Sequence, residues 1–164
     1  MKIVSGGQSG VDRAALDSAI ALGLEYGGWV PKDGWAEDYP DPPGILPRYP
    51  RMRPTADADP AERTRLNARD SDATLILLGG RESVSHGTEL TIAIAKQLER
   101  PLMLVRADDP AAAPRVRAWL QRLPHDLILN VAGPRESEAP GIYQSSRRLL
   151  EAILSDRARP RAAS

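Results

Sequence analysis

The chain has no cysteine among its 164 residues. Disulfides, thiolate metal sites and a cysteine nucleophile are therefore excluded. Lysine is nearly as scarce: only Lys2, Lys32 and Lys96 interrupt a basic complement that is otherwise arginine. Net charge is missing too, since Lys plus Arg and Asp plus Glu each number 22. Proteins dedicated to nucleic acid or to membrane surfaces carry a basic excess, so neither partner is expected. No apolar run approaches the roughly 18 residues of a membrane span. The opening "MKIVSGG" lacks the apolar stretch of a secretory signal, and the expected location is the cytoplasm. The two common phosphate fingerprints, G-x-G-x-x-G and G-x-x-x-x-G-K-[ST], are absent, which disfavours ordinary nucleotide hydrolysis. A G-x-S-x-G elbow is absent as well, so Ser9 is a poor esterase nucleophile.

What is present is an alternation of strands and helices in a 17.8 kDa chain, enough for one domain. Lys2 to Ser5 reads as a short buried strand. Val11, Ala14, Ala15, Ser18, Ala19 and Leu22 then mark one face of a helix that Gly23 ends. Residues 25–30 can form a second strand, weakened by two glycines. Seven of the fifteen prolines lie between Pro40 and Pro60. Residues 31–60 are thus an insertion without helical character, either an ordered lid or a mobile excursion. Asp59 is placed as an N-cap, Pro60 as the first helical residue and Glu62 as the partner in a capping box. Strands follow at 73–78, 102–105 and 127–133. Helices are expected at 88–98, from about Ala111 (with Val116, Trp119, Leu120 and Leu123 on one side), and at Tyr143–Leu154. Residues 156–164 read as a flexible tail after a domain over 1–155. This pattern predicts an α/β domain in three layers, with a mostly parallel sheet of about five strands and helices on both faces.

Such a sheet gathers "SGGQSGVD", "GGRESVSHGTE" and "AGPRESEAPG" at the carboxyl ends of its strands, where open α/β sheets bind ligands. Gly6, Gly7 and Gly10 let the backbone bend and approach another group, and the helix from Val11 aims its first N–H groups at the same place. Two readings stay open there. One is an anion cradle, and the other is an ordinary turn in which Asp12 satisfies the helix dipole. Gly79, Gly80, Gly87 and Thr88 form a second glycine-lined helix start, where His86 is a candidate donor and Glu89 complements the dipole. Thr64, Asn67 and Arg69 precede the central strand, with Arg63, Asp70 and Asp72; a solvated helix with internal ion pairs is the plainer reading. Asp70 and Asp72 alone make a weak metal pair. In the third loop, Arg135 could pair with a phosphate, while Glu136 and Ser137 could contact a polar ring.

"SGGQSGVDRAALDSA", "GGWVPKD", "ERTRLNARDSDATLI", "HGTELT" and "LNVAGPRESEAPGIY" occur in this order. Together they resemble the molybdenum cofactor carrier family, from about Ile3 to Leu154. The resemblance implies a Rossmann-like fold related to lysine-decarboxylase-like proteins and phosphoribohydrolases. It also implies binding of the molybdenum cofactor (molybdopterin), a pterin with a phosphate and an oxygen-ligated molybdenum. Carried over by position, the anion cradle falls on Gly6, Gly7, Gln8, Ser9 and Gly10, supported by Asp12 and Arg13. Thr64, Asn67 and Arg69 match the next stretch. Gly87, Thr88 and Thr91 match the second loop, to which the reading of the residues adds Gly79 and Gly80, and Asn130, Gly133, Arg135 and Glu136 match the third. The chain departs from the family at Ser9, where threonine is expected, at Val30, where cysteine is common, and at His86, where glycine is usual. The phosphoribohydrolase relatives carry G-G-x-G-T-x-x-E; here Glu89 follows the threonine directly, displaced around the helix from the catalytic position.

The expected function is therefore a carrier that sequesters an anionic small molecule, with phosphate or molybdate as surrogates and no resident metal site. Molybdoenzymes are the expected recipients, and self-association is expected from relatives. Gly7→Asp is expected to abolish binding. The alternatives are a nucleotide-binding protein, a nucleoside-monophosphate phosphoribohydrolase-like enzyme, or a sensor of nucleotide-derived signals acting through a partner.

Overall fold

A computed structural model describes residues 1–80 and 84–158 of the chain. Its strands are β1 (Lys2–Val4), β2 (Glu25–Val30), β3 (Met52–Pro54), β4 (Ala73–Leu78), β5 (Leu102–Arg106) and β6 (Ile128–Ala132). Its α-helices are α1 (Val11–Ala21), α2 (Pro60–Arg69), α3 (His86–Gln97), α4 (Ala112–Gln121) and α5 (Ile142–Ala158). The six strands form one sheet in the order β3-β2-β1-β6-β4-β5, and every pairing is parallel. The α/β class is as expected, with one more strand than the sequence suggests. That strand is β3, inside the proline-rich stretch, where Met52 pairs with Gly28 and Pro54 with Val30. Pro54 is tolerated because β3 is an edge strand. At the other end, α5 runs through Ala158, three residues into the expected tail. Residues 159–164 lie outside the described residues.

Side chains alternate across the sheet. Leu75 and Leu77 of β4 and Leu129 and Val131 of β6 are buried in a core with α1, α4 and α5, through Val11, Ala15, Val116, Leu150 and Ile153. Thr74, just before Leu75, and Asn130, between Leu129 and Val131, face the other side, where Asn130 Nδ2 donates to Thr74 Oγ1 at 3.4 Å. On that side α2 packs against α3. Asp59 caps α2 by accepting from the Ala61 N–H at 2.9 Å. The expected capping box is not made: the Asp59 amide that Glu62 would reach already donates to Asp57 Oδ1 at 3.2 Å.

Residues 31–55 are packed onto the domain. Ala36, Ile45, Tyr49 and Met52 join Val30 and Leu16 of α1 in a second apolar cluster. Polar contacts fasten it. Asp17 of α1 accepts from Tyr49 Oη at 2.6 Å and from Tyr143 Oη of α5 at 2.7 Å. Burial and the hydrogen bond to Asp17 push the Tyr49 phenol well above its usual range, so it remains a donor. Arg13 pairs with both oxygens of Asp38, at 2.8 and 3.0 Å, and its guanidinium lies 5.2 Å from the Tyr39 ring and 5.6 Å from the Tyr49 ring. Asp17→Ala removes the shared acceptor of two phenols. It should cost about 3 kcal/mol of unfolding free energy in urea denaturation, against about 1 kcal/mol for Tyr143→Phe.

Candidate functional site

The strand order sets β1, β6 and β4 side by side, so the turns leaving them meet at one edge of the sheet. Gly10 makes the first and third of these turns, those after β1 and β6, touch. Its φ is +74°, and a Cβ there would lie 2.5 Å from the Pro134 carbonyl oxygen and 2.7 Å from the Glu136 nitrogen. With only hydrogen at that position, the Val11 N–H donates to the Pro134 carbonyl at 3.2 Å and the Glu136 N–H to Ser9 Oγ at 3.2 Å.

Glu37 of the proline-rich segment bridges both turns. Its N–H donates to Gln8 Oε1 at 2.8 Å, and its carboxylate accepts from Ser9 Oγ and from Ser137 Oγ, the latter at 2.6 Å. Burial pushes its pKa up, but the hydrogen bonds from Ser137 and Ser9 and the charge of Arg135 outweigh this and hold it below the usual carboxylate value. A depressed folded pKa means that the unfolded chain takes up this proton first. The contribution to stability is complete above the unfolded value and is lost as pH falls through the folded one. Urea midpoints at neutral and acid pH should therefore fall more steeply for the wild type than for Glu37→Gln.

Beneath these turns lies a cleft of about 400 Å³ between the glycine turn, α2, the start of α3 and the end of β6. Arg63 of α2 reaches across it. Its Nη1 sits 2.8 Å from Asp12 Oδ2, and the same oxygen accepts from the Gln8 N–H at 3.3 Å. The guanidinium lies over Gly6, where a Cβ would overlap it. The Ser9 N–H donates to Gln8 Oε1 at 3.0 Å. The amides of Gln8, Ser9 and Val11 are thus engaged within the chain, and the carboxylate at the start of α1 is its own Asp12. Asp12 thus takes the place at the start of α1 that the ordinary-turn reading gives it.

The start of α3 differs. Ser85 caps it by accepting from the Thr88 N–H at 3.3 Å, and Thr91 Oγ1 donates to the Gly87 carbonyl at 2.9 Å. The N–H groups of His86 and Gly87 precede the first intrahelical bond and have no acceptor among the described residues, at a helix end that carries partial positive charge. Both residues line the cleft.

Of the residues expected at the site, Gly6, Gln8, Asp12, Thr64, Asn67, Gly87, Thr88, Thr91, Asn130, Gly133 and Arg135 line this cleft. Asn67 does so while bridging to β2, accepting from the Trp29 N–H at 2.8 Å and donating to its carbonyl at 2.9 Å. Gly7, Ser9, Gly10, Arg13, Arg69, Gly79, Gly80 and Glu136 do not line it. A Cβ on Gly7 would point at Ile45 and Val30. Arg13 turns to Asp38, and Arg69 pairs with the neighbouring Asp70 at 2.7 Å on the exposed side of α2. Gly79 and Gly80 border a separate depression with Asp108 and Gly141. Glu136 caps α5, accepting from the Gly141 and Tyr143 N–H groups at 2.5 and 2.9 Å. Asp72 accepts from the Ile128 N–H at 2.7 Å, and no three His, Asp or Glu side chains gather as a metal site among the described residues. Glu89 is exposed and outside the cleft lining.

Arg63, Trp35, Ser85 and Glu138 line the cleft without having been assigned to it from sequence. For Arg63 the signal was available. It lies one helical turn before Asn67 and shares its face, whereas Arg69 is two residues beyond and points away.

Residues 3–154 match the family described as "Circularly permutated YpsA SLOG family". The chain belongs to this family. A crystal structure from Syntrophus aciditrophicus SB, described as a "Putative molybdenum carrier protein", is 39% identical, with a TM-score of 0.82 over 93% of this chain and 94% of that one. None of the curated proteins is a significant match. The resemblance read from the sequence and these findings agree. The permutation in the family's description has a counterpart in the sheet. The last strand, β6, stands between β1 and β4. Renumbered from β6, the order reads 4-3-2-1-5-6, with the first strand at the point where the winding reverses. In doubly wound sheets that point is the ligand crevice, and here the cleft opens there. No helix among the described residues is long and apolar enough to cross a membrane.

Proposed function

We propose that this chain binds the molybdenum cofactor in the cleft beneath the three turns and carries it to molybdoenzymes. The observation that carries the reading is that Arg63 and two α3 amides with no acceptor among the described residues line one cleft of about 400 Å³, within the range of small-molecule sites. The donor set suits a phosphate monoester: a guanidinium and helix N-terminal N–H groups are its usual partners. The carboxylates of Asp59 and Glu138 at the rim suit the amino and ring N–H donors of a pterin. The chain has no cysteine, so the metal would be carried by the pterin's own sulfur ligands and by oxygen, with the protein holding phosphate and ring. The similarity to a protein described as a molybdenum carrier supports the same ligand.

Mass spectrometry of small molecules that co-purify under anaerobic, low-salt conditions tests this. The expected species is molybdopterin or its oxidation products in stoichiometric amount. A nucleoside monophosphate in its place, with sustained release of base from AMP, would instead support the phosphoribohydrolase-like reading.

A further inference from the structure

We infer that Trp35 is the ring-stacking residue of the cleft and selects a flat heterocycle over a bare anion, an inference that rests on the binding reading above. Trp35 is 36% exposed, and it belongs to neither apolar cluster. The other large apolar side chains with comparable exposure, Ile20 and Leu98, lie away from the cleft, whereas Trp35 lines it. An indole left partly in water keeps a cost that folding normally removes, unless something else covers it.

The backbone around Trp35 is fixed from both sides. Gly34 accepts from the Ile45 N–H at 3.0 Å, and its own N–H donates to the Pro31 carbonyl at 3.0 Å. Ala36 is fully buried and accepts from the Tyr39 N–H at 2.9 Å. Beyond it, Glu37 is bound to Gln8, Ser9 and Ser137, and Asp38 to Arg13. The indole is therefore presented on an immobilised segment, in the same cleft that Arg63 and the α3 start line. A rigid aromatic loses little conformational freedom on stacking. Arg63 and the amides recognise charge, which phosphate, nucleotide and pterin share; Trp35 adds the discrimination for a ring.

The test compares wild type, Trp35→Leu and Trp35→Phe by calorimetric titration with a phosphorylated pterin and with inorganic phosphate. Indole N–H resonances of nitrogen-15-labelled protein are followed in parallel. Trp35→Leu should lose about tenfold or more in pterin affinity, while phosphate affinity stays within about twofold and Trp35→Phe keeps most of the pterin affinity. The Trp35 indole signal should move with the pterin and not with phosphate. Because Trp35 lies outside both clusters, thermal melts of the variants should match the wild type. Pterin affinity of Trp35→Leu within twofold of wild type, or a Trp35 signal unmoved at saturation, would overturn the inference and leave the binding reading intact. A wild type that binds no pterin would overturn both.

Discussion

Arg63→Met should lower affinity for a phosphorylated pterin by about 100-fold and destabilise the fold by about 3 kcal/mol. The two losses have different origins. Asp12 and Arg63 are only 6% and 16% exposed in their side chains, and the Asp12 carboxylate also receives the Gln8 N–H. Removing the guanidinium strands a carboxylate in a poorly solvated place, and that stranding is the stability cost. Asp12→Asn on the same background removes the stranded charge while leaving an oxygen for the Gln8 N–H. The double variant should therefore regain most of the stability in urea denaturation. Its ligand affinity should stay low, because the phosphate has still lost its cation. Arg63→Met with wild-type stability would mean that Asp12 never depended on it, and wild-type affinity in the double variant would remove Arg63 from the site.

Gly10→Ala should be the most damaging of the small substitutions in the glycine turn, at about 3–5 kcal/mol. The φ of +74° disfavours any side chain, and the atoms that an added methyl meets are backbone atoms of Pro134 and Glu136, which cannot swing aside. The third turn would separate from the first, taking with it the Ser9 and Glu37 contacts. Gly87→Ala is the control. A Cβ at Gly87 meets no atom of the described residues within 4 Å, and the residue lies inside α3, so alanine should be neutral or slightly stabilising. Thermal unfolding of the two variants side by side checks the contrast. The same geometry changes the meaning of Gly7→Asp. Its side chain would enter the apolar cluster at Ile45 and Val30, so lost binding there would report a disrupted segment rather than a filled cradle.

Much of the architecture is legible in local patterns. The uninterrupted "ATLILL" run marks β4, and the spacing from Val11 to Leu22 marks α1, because each is set by residues within one element. β3 leaves no such trace. It spans Met52–Pro54, with two of its three residues exposed, and exists because Ile45, Tyr49 and Met52 settle against Leu16. The glycine turn shows a different limit. Glycines beside a helix start announce an anion but not its owner, and here the carboxylate at α1 belongs to Asp12. Arg63, which completes that arrangement, comes from 51 residues away. Glu136 is a parallel case: its sequence position suggests ligand contact, and its carboxylate instead closes the start of α5.

Diffraction from crystals grown with a phosphorylated pterin tests the central claim most directly. The phosphate is expected against Arg63 and the N–H groups of His86 and Gly87, with the ring inside the cleft beside Trp35. A ligand bound at the Gly79–Gly80 depression or on another surface, with this cleft holding only solvent at saturating ligand, would contradict it.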